Sequence, residues 1–477
     1  MPTAAISPQM ATGLRRAGAI LLISCYELGH QPLSLASPLA VLRRADCAPV
    51  GVDTSVGALE DDAIRAARLV AISVPMHTAL RLGARIAERV RAVNAAAHIC
   101  FYGLYASLNG DYLLRERADS VIGGEYEEAL LGLARALDAG VTVDTLDVPG
   151  VRTRAHDAAP VLAKLPFARP ARDTLAEPRH YAHLVRGGEV VPAGYTEATR
   201  GCLHTCRHCP ITPVYGGRFF VVPRAVVLDD IRQQVQAGVR HITFGDPDFF
   251  NGPGHSLAIA RALHAEFPDV TFDATIKVEH ILERREHFRE LAVLGCAFIV
   301  SAVESLSEEV LRHLKKDHTR ADVAEALAVL RAAGIPMRPT FVAFTPWTSA
   351  EDYVDVLAFA AEQGIIDNID PIQYAIRLLV PPGSALLDEP DARDWLGPLD
   401  ESAFTYRWTH PDARMDRLHG EVAKLVEAMA SGGCDNREIY DEIRALAERV
   451  LGLRVAARAG TVAAGQPVPH LSEPWFC

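Results

Sequence analysis

Gly201-Cys202-Leu203-His204-Thr205-Cys206-Arg207-His208-Cys209-Pro210 places three cysteines in C-x3-C-x2-C spacing on one short segment. Three thiolates suit a [4Fe–4S] cube, which has four irons: the loop holds three, and the fourth is left open to bind and reduce another molecule. A structural zinc knuckle is the plainer alternative. It would need His204 or His208 as fourth ligand, or a second ligand couple, and no such Cys or His couple lies nearby in sequence. A disulfide framework does not suit a chain this long with nine cysteines.

Around this loop, short apolar runs alternate with helical spacing. From Tyr195 to Leu379 the expected strands are Tyr195–Arg200, His241–Gly245, Thr271–Val278, Ala297–Val303, Met337–Phe344 and Pro371–Leu379, with amphipathic helices at Ala225–Ala237, His255–Phe267 and Arg320–Ala333. Six βα units read as a partial (β/α)6 barrel, whose reactive groups gather at the carboxyl ends of the strands. Upstream, Ala19–Ser24, Val50–Asp53, Leu69–Val74, Ile99–Gly103 and Ser120–Gly124 alternate with stretches such as Ala79–Val93. That rhythm predicts a doubly wound, Rossmann-like parallel sheet, so the fold class is α/β throughout.

The chain has 477 residues, long enough for two or three domains, and its 49% hydrophobic and 23% charged content is that of a globular protein. The expected division is a Rossmann-like domain over 17–140, a linker over 141–194, the barrel over 195–380, a helical extension over 381–455 with helices at Met415–Ala430 and Arg437–Leu451, and a flexible tail over 456–477. A net charge of −12 argues against a general nucleic-acid binder. Unclustered cysteines, the absence of an apolar signal core in Met1–Arg16 and the lack of any bilayer-length apolar run predict a cytoplasmic protein without membrane contact.

The cysteine loop following a first barrel strand resembles the radical S-adenosylmethionine (SAM) superfamily, although His208 stands where that superfamily usually has an aromatic residue. The resemblance implies that Cys202, Cys206 and Cys209 hold a [4Fe–4S] cluster whose open iron chelates SAM. Reductive cleavage then yields a 5′-deoxyadenosyl radical, with the protein positioning the cofactor. It also implies a small-molecule or peptide substrate and an electron donor such as flavodoxin or ferredoxin. The superfamily's Gly-Gly-Glu stretch falls on Phe244-Gly245-Asp246-Pro247-Asp248, so Gly245 and Asp246 are expected against the SAM ammonium, Asp246 as a charge-assisted acceptor. A tight Gly-Asp-Pro turn is the alternative. Ser301 and Glu304, closing the fourth strand, are expected at the ribose or the methionine moiety, with His208 also beside the cofactor. Thr275, Lys277 and Glu279 share one strand face. Lys315, Lys316 and His318 read as a solvated turn.

The first domain resembles the cobalamin-binding domain of one radical SAM branch, with Gly123-Gly124-Glu125-Tyr126-Glu127 similar to its Gly-Glu-x-Glu stretch. The Asp-x-His-x-x-Gly motif of a lower cobalt ligand is absent. His30 and His77 lie in loops at the sheet's ligand edge without matching it, so cobalamin binding with methyl transfer and a purely supporting domain both stay open. The non-enzymatic alternative is a zinc-holding regulatory protein whose first domain docks a partner. The Glu27–Pro32 and Pro75–Thr78 stretches, with terminal Cys477, resemble a radical SAM group whose C-terminal tail reads Cys-Cys-Ala-Glu-Pro or Cys-selenocysteine-Ala-Glu-Pro. The resemblance implies a selenocysteine codon read as a stop after Cys477, a genuine terminus with a free thiol being the alternative. Sequencing genomic DNA beyond that codon is expected to show TGA followed by Ala-Glu-Pro codons, and their absence removes the expectation.

Overall fold

Strand runs with no polar interruption need both faces covered, and Ile20–Ser24 (β1), Leu69–Ser73 (β3) and His98–Tyr102 (β4) are buried from end to end. The computed structural model describes residues 13–163, 165–455 and 468–473, in two units that divide after His180. Cys477 and its tail expectation lie outside the described residues.

In the first unit, β1, Val50–Asp53 (β2), β3, β4 and Ser120–Ile122 (β5) run parallel in the order β2-β1-β3-β4-β5. A short antiparallel strand, Val151–Arg152 (β6), closes the edge. Helices Leu33–Arg44 and Glu127–Asp138 share one core with the sheet, built on Ile20, Leu22, Leu39, Ala71, Leu130 and Leu133. Between these helices the Ser37 hydroxyl meets Glu127 Oε1 at 2.5 Å, and buried Tyr102 donates to the Ser34 carbonyl at 2.9 Å. The strand order reverses between β1 and β3, the place where such sheets open a ligand crevice.

The stretch 141–194, expected as a linker, carries three strands instead. Besides β6, His183–Arg186 (β7) and Glu189–Thr196 (β8) form a hairpin turned by Gly187 and Gly188, both at positive φ. β6 and β7, two and four residues long, are too short for a periodic signal, and β8 carries Pro192 and Gly194, which interrupt its strand pattern. The segment from Leu165 packs on the first unit: Ala168 enters its core, Ala171 N–H donates to the Ala36 carbonyl at 2.8 Å, and Arg172 donates to Gln31 Oε1 at 2.9 Å.

The second unit is the barrel sheet. Parallel strands β8, His241–Phe244 (β11), Thr271–Thr275 (β12), Cys296–Glu304 (β13) and Met337–Phe341 (β14) follow in sequence, with β7 and then His470–Leu471 (β17) added antiparallel beyond β8. The first expected strand, Tyr195–Arg200, is split. Its end, Thr199–Gly201 (β9), leaves the sheet and pairs antiparallel with Phe219–Val221 (β10), closing the cysteine loop at its base. The sixth expected strand does not form. Pro371 starts a 3-10 turn to Tyr374, and the stretch meets the sheet through a single β-bridge, Phe344 with Arg377, and through Gln373, which accepts from the Phe341 amide at 2.9 Å; proline gives up the amide a ladder needs. Two further strands, Leu396–Asp400 (β15) and Thr405–Trp408 (β16), pair with each other ahead of helices Ala413–Ser431 and Asn436–Leu451.

The last turn of β8 lies beyond the reach of β7. Gln234 substitutes for the missing neighbour, accepting from the Tyr195 amide at 2.9 Å and donating to its carbonyl at 3.1 Å, with Asp230 holding the same amide nitrogen and the Thr196 hydroxyl. Gln234→Ala leaves two buried backbone groups without partners, so we expect a loss of ~1–3 kcal/mol, measured as a lower denaturant midpoint for the barrel.

Candidate active site

A thiol buried without a cation stays protonated, and burial pushes Cys202 up to about 11 and Cys209 up to about 12, each further raised by neighbouring thiols of the same loop. Two ammonium groups act in the opposite direction, Lys277 on Cys202 and Lys316 on Cys209. Among the described residues the cysteines join no group of ligand atoms closing within 4.8 Å, the span a single small ion needs. The imidazoles offered as a fourth zinc ligand are directed elsewhere. His208 Nε2 meets Glu304 Oε1 at 3.2 Å, and His204 Nε2 lies 3.3 Å from Asp248 Oδ2. A loop of three thiols with no fourth protein ligand and cations close by fits a cubane cluster with one open iron.

The loop is held at several points. Asn251 accepts from the Leu203 amide at 3.0 Å and donates to the Gly201 carbonyl at 3.3 Å. Thr212 donates to the Cys206 carbonyl at 2.7 Å. The Arg207 amide donates to the Leu314 carbonyl at 3.0 Å, Lys315 Nζ reaches the Thr205 hydroxyl at 2.8 Å, and the Arg207 guanidinium pairs with Glu389 at 2.6 Å.

Glu304 sits at the carboxyl end of β13 with φ 66°, where the register with β14 slips. Burial alone would raise its carboxyl, but Lys316, His208 and His318 outweigh that and hold it down to about 2. Lys316 Nζ is 3.6 Å from Glu304 Oε1 and only 3% of Lys316 is exposed. The stretch Lys315–His318 is therefore not the expected solvated turn: Lys316 and His318 are buried, and it folds over the cysteine loop with Lys315 and Asp317 at positive φ. No linear signal marks this, because a lysine pair after a helix looks the same on a surface.

Three further sequence-derived residues are Asp246, Gly245 and Ser301. Asp246 is buried and spends both oxygens on the protein, accepting from the Ala198 amide at 2.9 Å and the Thr199 hydroxyl at 2.6 Å; burial raises its carboxyl to about 7. Its carboxylate anchors the approach to the cysteine loop. Gly245 is required by Tyr195, whose hydroxyl would lie 1.9 Å from an added Cβ. Ser301 shares the strand face of Ile299 and Val303, opposite Phe298 and Val300, and its buried hydroxyl has no partner among the described residues.

Sequence reasoning passed over Asp248 and His280. Asp248 follows β11, accepts from the Phe250 amide at 2.9 Å through Oδ1, and turns Oδ2 toward His204 and, at 2.8 Å, toward His280 Nδ1. Burial would raise its carboxyl; the two imidazoles outweigh it and lower it. Lys277, expected on a strand face, lies past the end of β12 and bridges Glu279 at 2.8 Å and His204 Nδ1 at 3.2 Å.

With this geometry, a match of residues 196–368 to the radical SAM superfamily gains its physical counterpart: the matched region spans the cysteine loop and the parallel strands that present it. The chain carries a radical SAM domain. The domain is that of an enzyme superfamily whose cofactors are a [4Fe–4S] cluster and SAM.

Its sequence is 26% identical over 231 residues to the hopanoid C-3 methylase of Methylococcus capsulatus, covering 48% of this chain and 43% of that one. It is 25% identical over 265 residues to the tRNA-2-methylthio-N(6)-dimethylallyladenosine synthase of Alkalilimnicola ehrlichii, covering 52% and 57%. The chain thus spans about half the length of these curated relatives. Its fold is similar to that of OxsB, a cobalamin-dependent SAM radical enzyme, with TM-score 0.67, 15% identity and coverage of 87% of this chain and 67% of that one. It is also similar to TsrM, a radical SAM methyltransferase from Kitasatospora setae, with TM-score 0.57, 18% identity and coverage of 72% and 70%. No described helix is long and apolar enough to cross a membrane.

Glu304→Gln strands Lys316 as a buried, unpaired cation, and we expect a loss on the order of 3 kcal/mol near neutral pH. Because the folded carboxyl lies below its ordinary value of 4.5, this stabilisation is present above pH 4.5 and disappears as pH falls toward about 2. Unfolding of wild type and variant across that window is expected to converge at the acid end.

Proposed function

We propose that Cys202, Cys206 and Cys209 hold the [4Fe–4S] cluster and that SAM is cleaved reductively at the carboxyl ends of the barrel strands. The observation that carries this reading is a loop of three thiols, beyond the end of β8, that joins no single-ion ligand group among the described residues. When bound and reduced, such a cluster supplies the electron that splits SAM into methionine and a 5′-deoxyadenosyl radical.

This chain's own residues do the holding. Lys277 and Lys316 lie close enough to Cys202 and Cys209 to favour their thiolates, an essential condition since ligands bind iron deprotonated. Glu304 fixes His208, one residue before Cys209, so the ring cannot swing into the position of a cluster ligand. Asp246 clamps Ala198 and Thr199, and Asn251 clamps Gly201 and Leu203, which sets the loop's entry on both sides of Cys202. The substrate reads as a small molecule or peptide, and the electron as coming from a low-potential carrier of the flavodoxin or ferredoxin kind. The eight described cysteines are all unpaired, which supports a reducing, cytoplasmic setting.

A second reading adds cobalamin in the first unit and methyl transfer. It is supported by the likeness to OxsB and TsrM, whose structures hold cobalamin, and by the Ser24 hydroxyl. Ser24 ends β1 at the strand-order reversal, buried and without a hydrogen-bond partner among the described residues, a group able to receive a ligand.

Anaerobic reconstitution with iron and sulfide, reduction, and addition of SAM tests the main reading by mass spectrometry of 5′-deoxyadenosine. We expect product from wild type and none from Cys206→Ala; a zinc-loaded, inactive wild type overturns the reading. Stoichiometric uptake of hydroxocobalamin, read by its visible spectrum, decides the second.

A further inference from the structure

A buried polar atom without a partner destabilises the fold unless something occupies the space it faces. Three such atoms face one another beside the cysteine loop: His204 Nε2, Asp248 Oδ2 and His280 Nδ1. None has a hydrogen-bond partner among the described residues, although Asp248 Oδ2 lies 3.3 Å from His204 Nε2 and 2.8 Å from His280 Nδ1. The contacts have hydrogen-bond lengths but not hydrogen-bond directions. All three atoms lie within 4.8 Å of one another.

Cation–ligand distances of ~2.0–2.2 Å put neighbouring ligand atoms roughly 2.8–3.6 Å apart in octahedral or tetrahedral sites. The two observed separations match that spacing. The surroundings match too. Asp248 is 2% exposed, and its other oxygen is fixed by the Phe250 amide at 2.9 Å. The far nitrogen of the His204 ring lies 3.9 Å from Glu279 Oε2, a carboxylate on the side from which a metal-bound imidazole is oriented, with Lys277 Nζ 3.2 Å from the same nitrogen. A second His–carboxylate group, His313 with Glu389 and Asp391, lacks this character because the Arg207 guanidinium already occupies Glu389 at 2.6 Å.

We propose that His204, Asp248 and His280 form a mononuclear site for a first-row divalent cation, distinct from the three cysteines. Two imidazoles and one carboxylate suit Zn²⁺, Fe²⁺, Co²⁺ or Mn²⁺ and leave positions open for water or a substrate oxygen. His204 lies between Cys202 and Cys206, whereas Asp248 follows β11 and His280 lies on the helix after β12. A bound cation therefore fastens the cysteine loop to the carboxyl ends of two neighbouring strands. The site stands independently of which cofactor the cysteines hold.

The test uses the full chain with Cys202→Ser, Cys206→Ser and Cys209→Ser combined, so that the cysteine loop cannot bind the probe. Co²⁺ is titrated and read by its ligand-field absorption and by metal content, with circular dichroism confirming the fold. We expect one Co²⁺ per chain, and binding weakened at least ~100-fold by His280→Ala and by Asp248→Asn, since even the loss of an outer-shell partner weakens binding by ~10–100-fold. His280→Cys is expected to keep the cation and add an intense sulfur-to-cobalt charge-transfer band, a signature that mere structural support by His280 would not generate. Less than stoichiometric Co²⁺ in the folded chain, unchanged affinity in His280→Ala, or a missing thiolate band in His280→Cys overturns the proposal.

Discussion

A carboxylate removed from water must be met by donors or cations, or it gives up its charge. Three carboxylates at the carboxyl ends of barrel strands are in that position, Asp246 and Asp248 after β11 and Glu304 at the end of β13. Each finds its partners on the segment leading into the cysteine loop or on the loop itself: Ala198 and Thr199 for Asp246, His204 for Asp248, His208 for Glu304. The three solutions differ in charge. Asp246 has donors but no cation and is pushed toward the neutral form, whereas Glu304, with Lys316 and two imidazoles, stays ionised to low pH. Desolvation of these groups thus turns into positional control of the loop.

That control gives the loop its chemistry. A single ion would draw its ligands into one tight shell; here the histidines nearest the cysteines are directed to carboxylates and the cysteines are left as a set of three. The pairing between β9 and β10 closes the loop into a separate lobe, and Gly245 lets the Tyr195 ring pass where any side chain would collide. The buried cations Lys277 and Lys316 offset part of the burial that raises the Cys202 and Cys209 thiols.

Much of the architecture was legible because it depends on local pattern. Continuous apolar runs marked β1, β3 and β4, helical spacing marked the helix Arg320–Ala333, and the cysteine spacing marked the loop. Elements defined by partners were harder to read. The hairpin of β7 and β8 is hidden because β7 is only four residues long and β8 carries Pro192 and Gly194, and the apolar run at 371–379 does not reveal that Pro371 breaks its ladder. Glu304 and His208 were both singled out along the chain, yet nothing linear joins two residues 96 positions apart.

By itself the sequence determined the α/β class, the order of the two units' strands along the chain, and the presence of a three-thiol loop after the first barrel strand, since period and spacing are properties of neighbours. The tertiary structure alone decided which polar side chains face one another. It turned Asp246 onto the loop's approach and Ser301 to the opposite strand face, buried Lys316 against Glu304, and brought His204, Asp248 and His280 together. The physical reason is that burial sets the charge and the partners of a polar group, and burial is decided by which distant strand ends the fold brings together.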